Sequence, residues 1–449
     1  MSAVPHTPRL RGLAPAVVAY LILGAALLSN RLFSVLHAES SAVVAFVAFF
    51  VAGLHTLAVL PVDRGLRLLG RHVILLAVPW AFLTVAVVWV PNCAYATGFV
   101  LYLVFAVPSV VLGFALATAI ATRVRRWRKT LFVLAGLILA IGGTVYDLGL
   151  HPQFFTLNHV YGGVLGPVYE EALYLRPGLF AFRALSLLWA LVLLALATPG
   201  SGGDAVWGRL AERRPAVLGL AAICIGTIYL FAPRLGINTP AWHIRETFGG
   251  HLRTEHFDLY YDPRSITPDA IRALAEDHEY RFTWLQQRLG IAPVERIQSY
   301  LYPTVEGKLR LTGAGLTDVS PVWLAQPQMH LLLSSYPETA GHELVHVFSR
   351  EFGLPVIRAS WLIGLVEGLA VAMEPPDGRP TPREQVSVAL QRAERADVGV
   401  EEDLARSIVD LMSPASFWSS RGSVSYSIAG SFVAYLIETY GTERFRAAY

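Results

Sequence analysis

Long apolar runs recur through the first half of the chain and constrain its fold more than any other feature. Seven of them precede residue 232, with few charges inside them, and they cover residues 13–28, 42–60, 73–90, 98–121, 131–150, 179–197 and 216–231. Most approach the ~20 residues that a helix needs to cross the hydrocarbon core, where every backbone polar group has to be paired internally. We therefore predict an all-α transmembrane bundle of about seven helices in residues 1–232.

Cationic residues are concentrated in alternate loops of this region. They lie before the first run and after the second, fourth and sixth, as Arg9, Arg11, Arg64, Arg67, Arg71, Arg123, Arg125, Arg126, Arg128, Lys129, Arg209, Arg213 and Arg214. Loops rich in Arg and Lys face the cytoplasm, so we predict a multi-pass protein of the cell membrane with a cytoplasmic amino terminus. Seven spans then place the carboxy-terminal domain outside the cytoplasm, whereas six would place it inside.

Residues 151–176 join the fifth and sixth runs and combine polar with aromatic side chains. The polar and aromatic members are His151, Asn158, His159, Tyr161, Glu170 and Glu171. We interpret this segment as an interfacial loop with an aromatic belt, and a substrate entrance or a second polar site is the alternative. The net charge of +3 comes with arginines in short loops between spans, so we predict the lipid bilayer as a partner and no nucleic acid.

The second half of the chain carries the motif His342-Glu343-x-x-His346. Two histidines four residues apart project from one face of a helix, so both can bind one zinc ion, and the glutamate between them can act as general base. Ser335 and Glu338 suit a capping box, and Gly353 suits a stop, which predicts a helix over about 336–352. Glu338 is also a candidate hydrogen-bond partner for the His342 imidazole.

Glu367 is the predicted third metal ligand, because a catalytic zinc site has three protein ligands and one open position. It follows His346 by 21 residues (367 − 346 = 21), inside a predicted short helix over 360–374 that Ser360 caps. Small neighbours of Glu367, at Gly364, Gly368 and Ala370, predict close packing of this helix on the first. The competing ligands are Glu374, Asp377 and His330.

The motif, followed by Glu367-Gly368-Leu369-Ala370, resembles the gluzincin zinc metallopeptidases, the thermolysin-like and aminopeptidase-like group, over about residues 250–449. His256–Tyr261 is similar to the opening strand of that family, and residues 426–441 are similar to the helix after its site. The resemblance implies Zn²⁺ on His342, His346 and Glu367, with Glu343 as general base. It also implies that Tyr426 hydrogen-bonds the developing oxyanion, and an interfacial core tyrosine is the alternative reading.

Two departures from the family pattern bear on the type of peptidase. Val371 stands where thermolysin-like members often carry an aspartate that orients a zinc histidine. Residues 320–335 contain no acidic side chain, although the aminopeptidase branch holds a free amino terminus with such groups. The resemblance therefore favours an endopeptidase over an aminopeptidase.

The predicted organisation is a transmembrane region over 1–232, a linker over 233–250 and an α+β, gluzincin-like domain over 251–449. In the domain we predict strands at 256–261, at 297–302 and within 321–335, and a helix at 268–289 that Thr267 caps and Gly290 ends. The predicted function is that of a membrane-anchored zinc-dependent metallopeptidase acting on a peptide or protein substrate. The alternative is a catalytically inactive peptidase-fold module for binding or sensing. An intramembrane protease is disfavoured because helix 336–352 is too polar to span.

Overall fold

The structure is a computed structural model, and it describes residues 12–30, 33–59, 65–166, 174–197, 205–374, 380–395, 408–419 and 422–449. The chain divides into two compact units. The first unit contains Met1–Pro167 and Ala172–Thr239, and the second contains Pro240–Tyr449. Each unit has its own hydrophobic core.

The first unit is a set of helices with one short hairpin. Its helices are α1 Ala14–Leu28, α2 Ala38–Val59, α3 Gly65–Leu75, α4 Ala77–Val85, α5 Tyr95–Arg123, α6 Arg128–Leu150, α7 Pro177–Ala197, α8 Ala205–Glu212, α9 Arg214–Leu230 and α10 Ala232–Leu235. The hairpin pairs β1 Phe155–Asn158 with β2 Gly162–Leu165 in antiparallel register.

All seven predicted apolar runs contain helix, and five of them are long and apolar enough to cross a membrane within the described residues. These five are Ala38–Val59, Leu66–Val88, Tyr95–Arg123, Arg128–Leu150 and Pro177–Ala197. Helices α1 and α9 are also apolar, but they have 15 and 17 residues. By length and composition, these five helices indicate a multi-pass membrane protein.

The described part of segment 151–176 contains a buried hairpin in place of an irregular loop, and its location at a membrane interface stays a prediction. Every residue of β1 is buried, and α6 contributes Asp147, whose carboxylate accepts hydrogen bonds from Thr156 Oγ1 at 2.8 Å and Leu157 N at 3.3 Å. Backbone that leaves the helical pattern can be buried in such a bundle only when its polar groups are paired. Glu170 and Glu171 lie outside the described residues.

Arg183 of α7 ties the hairpin to α5 at a point where α5 lacks a backbone donor. Pro108 inside α5 has no N–H, so the carbonyl four residues earlier, that of Val104, loses its helical partner. Arg183 Nε donates to Val104 O at 3.0 Å, and its Nη1 donates to Asn158 O at 2.8 Å. Arg183 and Asp147 are both buried, and each is a centre of several hydrogen bonds.

The second unit joins a small sheet to many helices. Its elements are α11 Ala241–Phe248, β3 Gly250–Arg253, β4 Phe257–Tyr261, α12 Pro268–Leu289, β5 Ile297–Tyr302, α13 Val305–Thr312, β6 Gln328–Leu332, α14 Tyr336–Ser349, α15 Ile363–Ala372, α16 Pro382–Arg395, α17 Pro414–Ser419, α18 Gly422–Tyr440 and α19 Thr442–Ala448. The sheet order is β3-β4-β5-β6. The β3–β4 pair is antiparallel and the other two pairs are parallel.

Several sequence predictions for this unit are confirmed. Helix α12 begins after Thr267, whose Oγ1 accepts from Ala270 N at 3.3 Å, and it ends at Gly290, whose φ of 63° suits glycine. Strand β5 has the predicted bounds. Within 321–335, strand structure is confined to Gln328–Leu332, and β3 was not predicted because its four residues alternate too briefly to give a signal.

Candidate metal centre

Helix α14 carries the His-Glu-x-x-His motif and is held by its apolar faces. Leu344, Val345, Val347 and Phe348 are each at most 1% exposed and belong to the core of the second unit. The predicted apolar packing around the motif is therefore confirmed. The helix ends at Ser349, a few residues before the predicted stop.

The start of α14 differs from the predicted capping box. The Ser335 hydroxyl makes no cap bond; it donates to Asp318 Oδ2 at 2.6 Å, and Thr339 Oγ1 donates to the same oxygen at 2.6 Å. The other oxygen, Asp318 Oδ1, accepts from Lys308 Nζ at 2.8 Å, and both of these side chains are fully buried. A charged acceptor competes successfully for the serine hydroxyl because hydrogen bonds to ionised groups are stronger than neutral ones.

Helix α15 carries Glu367, and two of its glycines allow neighbouring backbone to approach the helix closely. A Cβ on Gly368 would lie 2.6 Å from Ala429 O, and a Cβ on Gly364 would lie 2.7 Å from Leu411 O. These glycines therefore pack on α18 and on the segment before α17, while the predicted packing of α15 on α14 is present through other residues of one shared core, among them Leu344, Leu365 and Leu369. Ser360 does not cap the helix, whose N-cap is Leu362, although Ser360 Oγ accepts from Leu362 N at 3.2 Å.

The two helices bring together the three predicted ligands. His342 Nε2 lies 3.2 Å from Glu367 Oε2 and 3.1 Å from His346 Nε2, and His346 Nε2 lies 3.5 Å from Glu367 Oε2. The three side chains are between 11% and 15% exposed. Within the described part of the chain they form a group whose donor atoms all lie within 4.8 Å of one another, which is close enough for one metal ion.

Glu374 lies on the far side of the His342 ring. Its Oε1 is 3.3 Å from His342 Nδ1, so it contacts the nitrogen that faces away from the other two ligands. It was weighed as a ligand, but its position suits a carboxylate that orients the imidazole. Glu338, the sequence candidate for that contact, is exposed. At the position where the family pattern often has an orienting aspartate, this chain has Val371. Glu374 follows it by three residues and lies just beyond the end of α15.

Of the remaining ligand candidates, His330 does not join the group. His330 is fully buried in β6, where its Nδ1 meets Tyr302 Oη at 2.9 Å and its Nε2 meets Gln328 Oε1 at 3.1 Å. Both ring nitrogens are thus engaged in the sheet, and burial lowers the pKa of His330 to about 3. Asp377 lies outside the described residues.

Glu343 is buried beside the three ligands and has one oxygen without a partner. It is 6% exposed, and no hydrogen bond to Oε2 is formed by any described residue. Burial raises the pKa of this carboxyl above its ordinary value, against the attraction of His346 and His342. Ser320 Oγ donates to the backbone oxygen of Glu343 at 3.0 Å, so the segment before β6 runs alongside the motif.

The pKa values of two of the predicted ligands, His342 and Glu367, are strongly shifted. Burial opposes protonation of His342, but the hydrogen bonds that its ring donates to the carboxylates of Glu367 and Glu374 outweigh burial and raise the pKa of His342 to about 10. Burial likewise opposes ionisation of Glu367, and the neighbouring His346 and His342 nevertheless hold the pKa of Glu367 far below its usual range. A buried pair of imidazoles facing a carboxylate attracts positive charge, which is what a metal ion provides.

Tyr426 of α18 lies next to this group. Its ring centroid is 5.9 Å from that of His342 and 5.2 Å from that of Phe417, against which it packs edge-on. Both readings of Tyr426, as a group that acts on the substrate and as a packing residue, are compatible with that position. Its role stays a prediction.

In comparisons with known proteins, the chain matches no protein-family model, no curated protein and no solved structure.

Proposed function

We propose that the chain is a membrane-anchored, zinc-dependent metallopeptidase of gluzincin type. The observation that carries the proposal is the convergence of His342, His346 and Glu367, from two helices of the second unit, on one point. Neither helix is long enough to be one of the candidate membrane spans, which supports a peptidase outside the lipid over an intramembrane one.

The spacing of the donor atoms supports zinc. Ligand atoms about 2.1 Å from a tetrahedral zinc ion are separated by about 3.4 Å. The three separations among His342, His346 and Glu367 are 3.1, 3.2 and 3.5 Å. Two imidazoles and one carboxylate are also the donor set of zinc sites that keep an open position for water.

The unpartnered oxygen of Glu343 supports catalysis over simple metal storage. A buried carboxylate oxygen without a donor costs free energy, and in an active site that cost is offset when water or substrate supplies the proton. Bound zinc would supply Lewis acidity towards a water molecule and a carbonyl oxygen. Glu343 would accept the proton of the attacking water and deliver it to the leaving amine, and its raised pKa brings it closer to the range in which it can do both.

Three further residues have proposed roles in this reaction. Glu374 would hold the His342 ring in one orientation through Nδ1. Tyr426 would donate its phenolic proton in a hydrogen bond to the substrate oxygen as negative charge develops there. The absence of acidic side chains in residues 320–335 favours endopeptidase over aminopeptidase activity.

The first unit would act as the anchor. Five helices support a multi-pass chain, and we propose that α1 and α9 complete seven spans. With arginine-rich loops on the cytoplasmic side, the amino terminus would be cytoplasmic and the peptidase extracytoplasmic, in the cell membrane.

Metal content and cleavage by the full chain test the proposal. Protein purified in detergent should contain about one zinc per chain and should cleave a denatured protein, and chelation should abolish cleavage until zinc is restored. Glu343→Gln should retain zinc but lose about 10²- to 10⁴-fold in rate, because only the general base is removed. Glu338→Gln is the matched control on the same helix: its side chain is exposed, so its rate should equal that of the parent.

The same measurements address the inactive-module alternative. A chain that binds zinc but cleaves nothing, with Glu343→Gln indistinguishable from the parent, would support a binding or sensory role. A chain that binds no zinc would refute both the metal site and the peptidase.

A further inference from the structure

The segment that joins the two ligand-bearing helices is a compact loop with an apolar tip. The 353–362 loop is closed at its base by hydrogen bonds from Leu354 N to Ala359 O, at 3.2 Å, and from Arg358 N to Leu354 O, at 2.8 Å. Gly353 lies so close to this base that a Cβ on it would be 2.4 Å from the carbonyl carbon of Arg358. The loop is therefore a built structure whose tip has a defined position.

The side chains at and beside this tip are apolar and face solvent. Val356 is 85% exposed and Trp361 is 73% exposed, with Leu354 and Leu362 at 36% and 43%. None of the four belongs to a hydrophobic cluster formed by the described residues. A group of exposed apolar side chains at one place marks an interaction surface more often than a single exposed side chain does.

The backbone of the tip is strained in order to present these side chains. Val356 has φ of 76° and Arg358 has φ of 51°, a left-handed conformation that is unusual for any residue with a Cβ and rare for a β-branched one. Strain of this kind costs about 1–3 kcal/mol per residue and persists where the surrounding structure requires it. The strained residue Val356 is exposed and belongs to no hydrophobic cluster of the second unit, so its conformation adds no packing to that unit.

We propose that the 353–362 loop docks into the interfacial region of the lipid bilayer that carries the chain. Tryptophan and aliphatic side chains are the residues that lie at the boundary between headgroups and acyl chains. The loop contains one cation, Arg358, and no acid. Its tip is convex, since an 85% exposed Val356 has no surrounding wall, whereas sites for small ligands and peptide side chains are concave.

The second unit follows an apolar helix of the first unit closely in the chain, so we expect it to lie near lipid. The apolar helix α9 ends at Leu230 and the second unit begins at Pro240, so nine residues, 231–239, lie between them. Four of these residues form α10, and Ala232 and Ile237 are buried in the core of the first unit, so only a short stretch of chain separates an apolar helix from the second unit. A tethered unit meets the membrane surface at a high effective concentration, so a small apolar tip is sufficient for docking.

A comparable loop occurs at the end of two candidate spans in the first unit. Trp127, between α5 and α6, is also in the left-handed region, with φ of 62°, and is 79% exposed. An exposed tryptophan on a short loop therefore also occurs between two candidate membrane spans of this chain.

The charge around the loop identifies the lipid to use in a test. Burial and the carboxylate of Glu295 raise the pKa of Glu351, the acid that lies two residues before the loop. These acids would oppose anionic lipid, so docking has to rest on apolar contact. Zwitterionic phosphatidylcholine is therefore the appropriate probe.

Depth-dependent quenching in the full chain tests the proposal. The chain, with Cys93→Ser and Cys224→Ser, is labelled with an environment-sensitive fluorophore at Val356→Cys and reconstituted in nanodiscs of brominated phosphatidylcholine. The matched control carries the label at Asp269→Cys, a position on α12 whose side chain is 90% exposed. Quenching at position 356 should exceed that at position 269 by about fivefold or more. A label at Trp361→Cys, whose backbone is not left-handed, should behave in the same way.

Equal quenching at positions 356 and 269 would overturn the proposal. So would a label that is shielded by an added apolar peptide but is insensitive to brominated lipid, because that result would assign the loop to substrate side chains. The experiment needs neither zinc nor cleavage, so its failure leaves the proposed peptidase function untouched.

Discussion

Substitution of Gly368 by alanine tests whether close helix packing positions the third metal ligand. The new Cβ would lie 2.6 Å from Ala429 O, whereas an ordinary contact of this kind begins at 3.4 Å, so α15 and α18 have to separate by about 0.8 Å (3.4 − 2.6). Glu367 is the preceding residue, and its Oε2 now lies 3.2 and 3.5 Å from the two imidazole nitrogens. A metal site tolerates changes of about 0.2 Å in ligand distance.

The expected effects on folding and on metal binding are different in size. Overpacking costs about 1–3 kcal/mol, and the higher helix propensity of alanine returns about 1 kcal/mol, so the free energy of unfolding should fall by about 0–2 kcal/mol. Zinc affinity should fall by about tenfold or more, a loss of about 1.4 kcal/mol, because Glu367 moves relative to His342 and His346.

Zinc affinity would be measured by competition with a chelating dye, and unfolding by thermal melting of the same preparation. Gly142→Ala is the control, since Gly142 is also helical and its new Cβ would meet nothing within 4 Å. It should leave zinc affinity unchanged. A Gly368→Ala protein that binds zinc as tightly as the parent would refute the reasoning that α18 sets the position of Glu367.

Three further predictions concern other parts of the chain. Glu374→Gln should weaken zinc binding by about 10- to 100-fold without lowering the melting temperature of the metal-free protein, as measured by dye competition and melting. Arg183→Met should lower the free energy of unfolding in detergent by about 3 kcal/mol or more, because buried carbonyls lose their donors; melting of Arg183→Lys should show no rescue, since an ammonium group cannot reproduce the guanidinium geometry. Burial lowers the pKa of His278 from 6.5 to about 4, so the unfolded chain binds the proton first and stability is lost as pH falls from 6.5 to 4, by up to about 3 kcal/mol. Denaturant unfolding between pH 7 and 4.5 should show this slope, and His278→Gln should reduce it to the part that other buried groups such as His330 contribute; an unchanged slope in the variant would contradict the assignment.

The sequence predicted the helices that carry the site and the start of α14, but it did not predict the contacts that cap them. Ser335, Pro337 and Glu338 form a good local start signal, and α14 does begin at Tyr336. The cap itself is different, because Asp318 takes the Ser335 hydroxyl. Asp318 is 17 residues away in sequence, so no pattern within the helix could have revealed it.

The glycines of α15 illustrate the same limit. Small residues around Glu367 indicated close packing correctly, since Gly364 and Gly368 both meet the backbone of another segment. The elements that approach the glycines themselves are α18 and the segment before α17, because a run of small side chains shows that something approaches a helix but not which element does so.

Local chemistry alone determined two properties of this protein. In lipid, the backbone polar groups of a single apolar run can be paired only within a helix, so runs of nearly membrane-spanning length predict helices. Five helices of sufficient length are present among the described residues. A spacing of four residues puts His342 and His346 on one helix face, since this is a property of the helix itself.

Tertiary structure alone decided which other groups meet them. Glu367 and Glu374 reach His342 across 25 and 32 residues of intervening chain. Asp147 and Arg183 become the polar centres of the first unit only because a hairpin and a proline-containing helix present unpaired backbone groups to them. These contacts depend on how helices pack, and packing depends on side chains that are distant in sequence and adjacent only after folding.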